Sequence, residues 1–390
     1  MHWAYILLIL ATIWFLVYIL GRLLKLDEKL GWTFGPLFLL MRTKRFNNFI
    51  MKIAQKYARF WRVFGNISIF FGLLLMFISI GVLLFSLINI FKPILPIEGP
   101  AVGFIIPGLT IPFKTALYLI IHIILTMIPH ELAHGVVSHA DNITLKSTGL
   151  VFFAIFFGAF VEPYDEEMKK ASLKTRMRTF GAGMLPNLIL GLITIPFFLF
   201  SSNIIAPFYY PPDGILIQEV VQGSPAELGG LERGMAIFDI NNTHISTSEI
   251  FSNYMNVTKP NQIVILNTTS GIFTIRLATH PDDDTKGYLG VYSIPYQAPK
   301  YAFAWKFFPY VFEQQLVWML IVPFGIVTFN ALPIPYLLDG DKLLSSFLQQ
   351  YIRNQKVALI ILDVFRFIGI TLFLSLLIIS LVKFGFTFIG

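Results

Sequence analysis

The pentapeptide His130-Glu131-Leu132-Ala133-His134 closes a long apolar run, and this limits the fold more than any other feature. From Ala116 to Pro129 the chain carries no charged residue and one further histidine, His122. On a helix, residues i and i+4 share a face one turn apart, so both imidazoles can bind one metal ion. The Glu between them then stands beside the water that such an ion activates. By chance, HExxH arises about once in three hundred chains of this composition. Two His and a Glu at membrane depth are costly without partners, and a metal explains them better than packing does. The setting points to hydrolysis inside a membrane.

Composition agrees. Of 390 residues, 56% are hydrophobic and 13% charged, the profile of a polytopic α-helical membrane protein. The absence of cysteine excludes disulfides and thiolate metal sites, so ligands must come from His, Asp and Glu. The net charge of +7 is distributed in a particular way: ten Lys/Arg fall between Arg22 and Arg62, six between Lys146 and Arg178, and three between Lys342 and Lys356. These clusters alternate with apolar spans, as cytoplasmic loops do, which argues against a nucleic-acid surface. Residues 204–302 differ, with five Lys/Arg against nine Asp/Glu, and mark a separate acidic domain.

About six transmembrane helices are expected, at Trp3–Leu20, 64–91, 114–138, 180–203, 308–338 and 357–386. The first lacks the positive start and clear cleavage site of a signal peptide and reads as a retained helix. A connector rich in Pro and Gly (Pro93 to Pro112) follows the second and carries few charges, so it could dip into the bilayer. Pro129 disturbs the turn before His130. Residues 147–163 are too short to span, rich in β-branched and aromatic residues, and read as a re-entrant β-hairpin near the metal. Strands at 214–221, 237–241 and 262–266, with a turn and short helix at 223–231, describe an inserted small α+β domain. The expected division is 1–100, 101–205, 206–300 and 301–390. Basic loops in the cytoplasm leave the acidic domain and both termini outside, and His130, His134 and Asp339 toward the cytoplasmic side.

A catalytic metal needs a third protein ligand. Asp339, at the end of the broken fifth span, is the best candidate; Glu162 is a rival, and Asp341 reads as a helix-capping residue. His122 lies near the face of His130 and reads as an interhelical hydrogen-bonding residue. Asp363 and Arg366 are spaced to pair with each other. Asn241, Asn256 and Asn267 each begin a glycosylation sequon.

These motifs together resemble the site-2 protease family of intramembrane zinc metalloproteases. The match rests on His130 to Gly135, on Asn330-Ala331-Leu332-Pro333 with Leu338-Asp339-Gly340, on a PDZ-like domain between them, and on Gly158 to Pro163. The resemblance implies that His130, His134 and Asp339 bind one Zn2+ ion and that Glu131 is the general base. It implies a substrate contact for Asn187, from a Gly-Pro-x-x-Asn pattern whose Pro is displaced by two positions in Gly183-Met184-Leu185-Pro186-Asn187. Its implied partners are single-span membrane protein substrates within the lipid bilayer, for example an anchored transcriptional regulator, and no nucleic acid. The PDZ-like domain would bind substrate C-termini or exclude bulky ectodomains. A transporter is disfavoured by the lack of a repeat, a non-catalytic scaffold by Glu131, and a tethered soluble zincin by the apolar residues flanking HExxH.

Overall fold

The computed structural model describes residues 2–92, 102–103, 111–154 and 156–385. The connector expected to dip into the bilayer falls largely outside them. Contacts divide the chain into two compact units, Met1–Thr194 with Trp318–Gly390, and Ile195–Val317.

The first unit opens with α1 (His2–Leu23) and α2 (Leu26–Leu30). It continues through β1 (Thr33–Gly35), β2 (Phe38–Thr43) and α3 (Asn47–Lys56) to α4 (Ala58–Phe91) and α5 (Phe113–Ala140). Next come β3 (Leu145–Phe153), β4 (Phe156–Pro163), α6 (Asp165–Lys170), α7 (Leu173–Ala182) and α8 (Met184–Leu199). The second unit begins within α8 and contains α9 (Ser201–Ile205), β5 (Ile215–Val220), α10 (Pro225–Leu228), β6 (Ala236–Ile240), β7 (Thr243–His244) and α11 (Ser248–Asn256). It is completed by β8 (Ile263–Thr268), β9 (Gly271–Arg276), β10 (Ala278–His280), β11 (Asp283–Tyr288) and β12 (Val291–Pro295). The chain ends in α12 (Phe308–Asn330), α13 (Asp339–Tyr351) and α14 (Gln355–Phe384).

Five helices among the described residues are long and apolar enough to cross a membrane: Ala58–Phe91, Thr115–Ala140, Leu173–Leu199, Phe308–Asn330 and Gln355–Phe384. Helix α1, the expected first span, contributes a shorter apolar stretch, Leu8–Leu23. The expected fifth span stops at Asn330, ahead of Pro333, because a proline lacks the N–H that a continuing helix needs.

The basic segment 22–62, expected as a loop, is folded. Strand β2 lies between β1 and β3, so the 145–163 hairpin belongs to a four-stranded sheet in the order β1-β2-β3-β4. Helix α3 is amphipathic. It buries Asn47, Ile50 and Ala54, spaced along one face, and Ile50 and Ala54 cluster with Val136 and Ala140 of α5. The end of α5 is fixed by Asp141, whose buried carboxylate accepts from Arg62 of α4 and from Arg178 of α7.

In the second unit the sheet order is β12-β5-β6-β8-β9, with β7 on β6 and a separate β10-β11 pair. Strand β8 alternates exposed and buried residues along its length, the period-two signature of a half-buried strand. Ile215, Ile217, Ile237, Ile240, Val264 and Leu266 form its dry centre. Ser224 caps α10 by accepting from the Glu227 N–H, while the Glu227 carboxylate accepts from the Gly223 N–H.

Candidate metal centre

Helix α5 presents His130 and His134 one turn apart, with their Nε2 atoms 3.2 Å from each other. Residue Asp339, the first of α13, brings Oδ2 to 3.2 Å from His130 Nε2 and 3.1 Å from His134 Nε2. The three atoms form a nearly equilateral triangle. A tetrahedral ion with ligand bonds near 2.0–2.1 Å has ligand–ligand edges of about 3.3 Å, so the triangle fits one face of a zinc-type site and leaves the fourth position open. Both imidazoles are buried, and Asp339 is mostly so. Among the described residues no other three His, Asp or Glu converge in this way.

Gly183, between α7 and α8, explains how the space is kept. A Cβ there would lie 2.6 Å from His130 Nε2 and closer still to His134 Nε2. Any larger residue would press on the Nε2 atoms of both histidines. Its backbone is right-handed helical, so this glycine serves close approach and not turn geometry.

Each imidazole is held from behind. His134 Nδ1 donates to the Thr179 carbonyl at 2.6 Å, which leaves Nε2 with its lone pair toward the centre. His130 Nδ1 lies 3.1 Å from Asn187 Nδ2 on α8. Asn187 is fully buried. Glu131 Oε2 accepts from the Val161 N–H at 3.2 Å. Four residues along α5, Met127 Sδ takes the Ala159 N–H. Strand β4 pairs only with β3, so its outer edge lies along the HExxH face of α5. The Ala159 and Val161 N–H groups of that edge are thus taken by α5 side chains.

The rival ligand Glu162 is elsewhere. It bonds Lys146 and Ser147, each at 2.6 Å. Asp341 is not a surface cap: Arg366 of α14 grips both its oxygens, while the expected Arg366–Asp363 contact is a longer third one. His122 Nδ1 bonds the Tyr118 carbonyl of its own helix instead of another helix. Thr179, Gly183 and Val161 were not singled out by sequence reasoning as parts of the centre. Only Gly183 left a trace, through its fixed spacing to Asn187.

Long apolar helices around a buried group of two imidazoles and a carboxylate define a multi-pass membrane metallopeptidase. Residues 118–376 match the model of peptidase family M50, and the chain belongs to this family, the site-2 proteases. An uncharacterized protein of Methanocaldococcus jannaschii is 29% identical over 347 residues, which cover 88% of this chain and 85% of the relative. Among solved structures, the PDZ domain of an SdrC-like protein from Listeria monocytogenes is 24% identical. It covers 21% of this chain and 88% of that one, with a TM-score of 0.19. The corresponding domain from Listeria innocua is 21% identical over 21% of this chain and 93% of that one, also with a TM-score of 0.19.

Proposed function

We propose that this chain is a zinc-dependent endopeptidase that cuts peptide bonds within or near the transmembrane helices of anchored proteins, as in regulated intramembrane proteolysis. The observation that carries this reading is the approach of Asp339 Oδ2 to both His Nε2 atoms from more than 200 residues away in the chain. His130, His134 and Asp339 are the ligands. An ion held there supplies Lewis-acid chemistry, polarising a carbonyl and lowering the pKa of water toward about 7.

Glu131 is the general base. It takes a proton from the attacking water and passes it to the leaving nitrogen, so the C–N bond breaks as a C–O bond forms. In the resting arrangement its carboxylate is occupied by the Val161 N–H. A substrate helix has satisfied its own backbone and must unwind before cleavage. An unwound strand laid along β4 would offer its carbonyl to that N–H and release Glu131 for the reaction. In this reading the β3–β4 hairpin is re-entrant. The basic loops face the cytoplasm together with the centre, and the second unit, a PDZ-like filter for substrate C-termini or ectodomains, is extracytoplasmic.

The test is cleavage of a co-expressed single-span substrate by wild type and by Glu131→Gln. The variant should retain one zinc per chain and leave the substrate intact. Equal cleavage by both proteins would remove Glu131 from the mechanism. A wild type that folds but takes up no zinc would overturn the metallopeptidase chemistry itself.

A further inference from the structure

We infer that Asn187 is a positioning residue: its side-chain oxygen holds the Nδ1–H of His130 and so fixes the ring with Nε2 toward the metal. This rests on the metal-site reading above and replaces a direct substrate contact for Asn187.

The two imidazoles pose the same requirement. A neutral ring that gives its Nε2 lone pair to a cation keeps its proton on Nδ1, and that proton needs an acceptor. For His134 the acceptor is the Thr179 carbonyl. For His130, among the described residues, the side chain at Nδ1 is Asn187, with Nδ2 at 3.1 Å and Oδ1 buried without a hydrogen-bond partner. An NH2 group cannot accept the Nδ1 proton. A half-turn about the Cβ–Cγ–amide axis exchanges O and N at the same points. It then pairs Nδ1–H with Oδ1 and puts the NH2 group where the unpartnered oxygen stood. Metal loading therefore selects one of two amide orientations.

The position suits this task better than a substrate contact. Asn187 has no accessible surface, and it sits one turn beyond Gly183, whose missing Cβ leaves room for the ion. The segment from Thr179 to Asn187 thus supplies a carbonyl behind one histidine, the space between the two, and an amide behind the other. Pro186 precedes Asn187, on the face of α8 that lines an apolar cavity with Pro129, Leu132 and Ala133 of α5. Asn187 is therefore held between packed helices, as an orienting group must be.

The experiment measures zinc dissociation constants by chelator competition on purified full-length protein, together with the Co2+ absorption spectrum and the split between KM and kcat. Asn187→Ala and Asn187→Leu, which lack an acceptor, should bind zinc 10–100-fold more weakly and shift the Co2+ spectrum, with KM little changed. Asn187→Asp restores the acceptor and should bind at least as tightly as wild type. The inference fails if Asn187→Ala keeps wild-type zinc affinity while KM rises, which marks a substrate contact. It also fails if Asn187→Asp binds as weakly as the Leu variant. Should Ala and Leu variants not fold, the Asp variant decides alone. Wild type that binds no zinc is a different result, and refutes the metal site itself.

Discussion

Arg366 of α14 grips Asp341 with two nitrogens, Nε to Oδ1 at 2.6 Å and Nη2 to Oδ2 at 2.9 Å, two residues beyond Asp339. The Asp341 side chain is 6% exposed. Removing one partner from a buried pair leaves an uncompensated charge and costs about 3–5 kcal/mol. Arg366→Leu should therefore lower the unfolding temperature in detergent and weaken zinc retention, because the first turn of α13 loses its anchor. The double variant Asp341→Leu/Arg366→Leu should recover much of the stability. Zinc affinity unchanged in Arg366→Leu would show that Asp339 is fixed without this pair.

Gly183→Ala should abolish metal binding while leaving helix content intact, since the added methyl group would crowd the Nε2 atoms of both histidines. Gly81→Ala is the control, because a Cβ there meets nothing within 4 Å. Metal content of the two purified variants, with circular dichroism, checks this. A zinc-loaded Gly183→Ala protein would contradict the position assigned to the ion.

Val161 lies on β4 with its N–H directed to Glu131, away from the ladder with β3. Proline is tolerated where a strand N–H points off the edge. Val161→Pro should thus fold, bind zinc normally and raise KM roughly tenfold, because a substrate strand loses the N–H that would receive its carbonyl. Steady-state kinetics with metal analysis would measure this, and an unaltered KM would separate Val161 from substrate binding.

In the second unit, His244 is held between Asp239 and Asp213, and hydrogen bonds to these carboxylates raise its pKa above the ordinary histidine value. The sign follows from linkage. The clamp's contribution is fully present below about pH 6.5, the unfolded value, and is lost as pH rises through the higher folded value. Hydrogen-exchange protection at residues 236–245 should therefore fall with rising pH in wild type and stay level in His244→Asn. Both carboxylates and the imidazole are solvent-exposed or nearly so, and the effect will be small. Parallel pH profiles for the two proteins would dismiss the clamp.

Local spacing made part of the centre legible. His130 and His134 announce themselves because one helical turn joins them, and Asp339 because a carboxylate ending a proline-broken apolar stretch is hard to explain otherwise. Strand β8 could be read because its alternation is local as well. Contacts that join distant segments left no such mark. Residues 33–43 look like part of a basic loop, yet β2 finds its partner in β3 more than a hundred residues later. Arg366 is spaced to meet Asp363 on its own helix, but the buried Asp341 offers two oxygens and wins. Gly183 is marked by its spacing to Asn187, but its close approach to both imidazoles is not legible until they are placed against it.

The carboxylate and the imidazole it approaches most directly along the sequence are 205 residues apart, with the whole second unit translated between them. A ribosome that has delivered α5 into the bilayer has made only the nitrogen half of the cage, and the oxygen half follows after Ile195–Val317 has been synthesised. The group of two imidazoles and a carboxylate is thus completed only in the last part of synthesis, once Asp339 has followed the second unit.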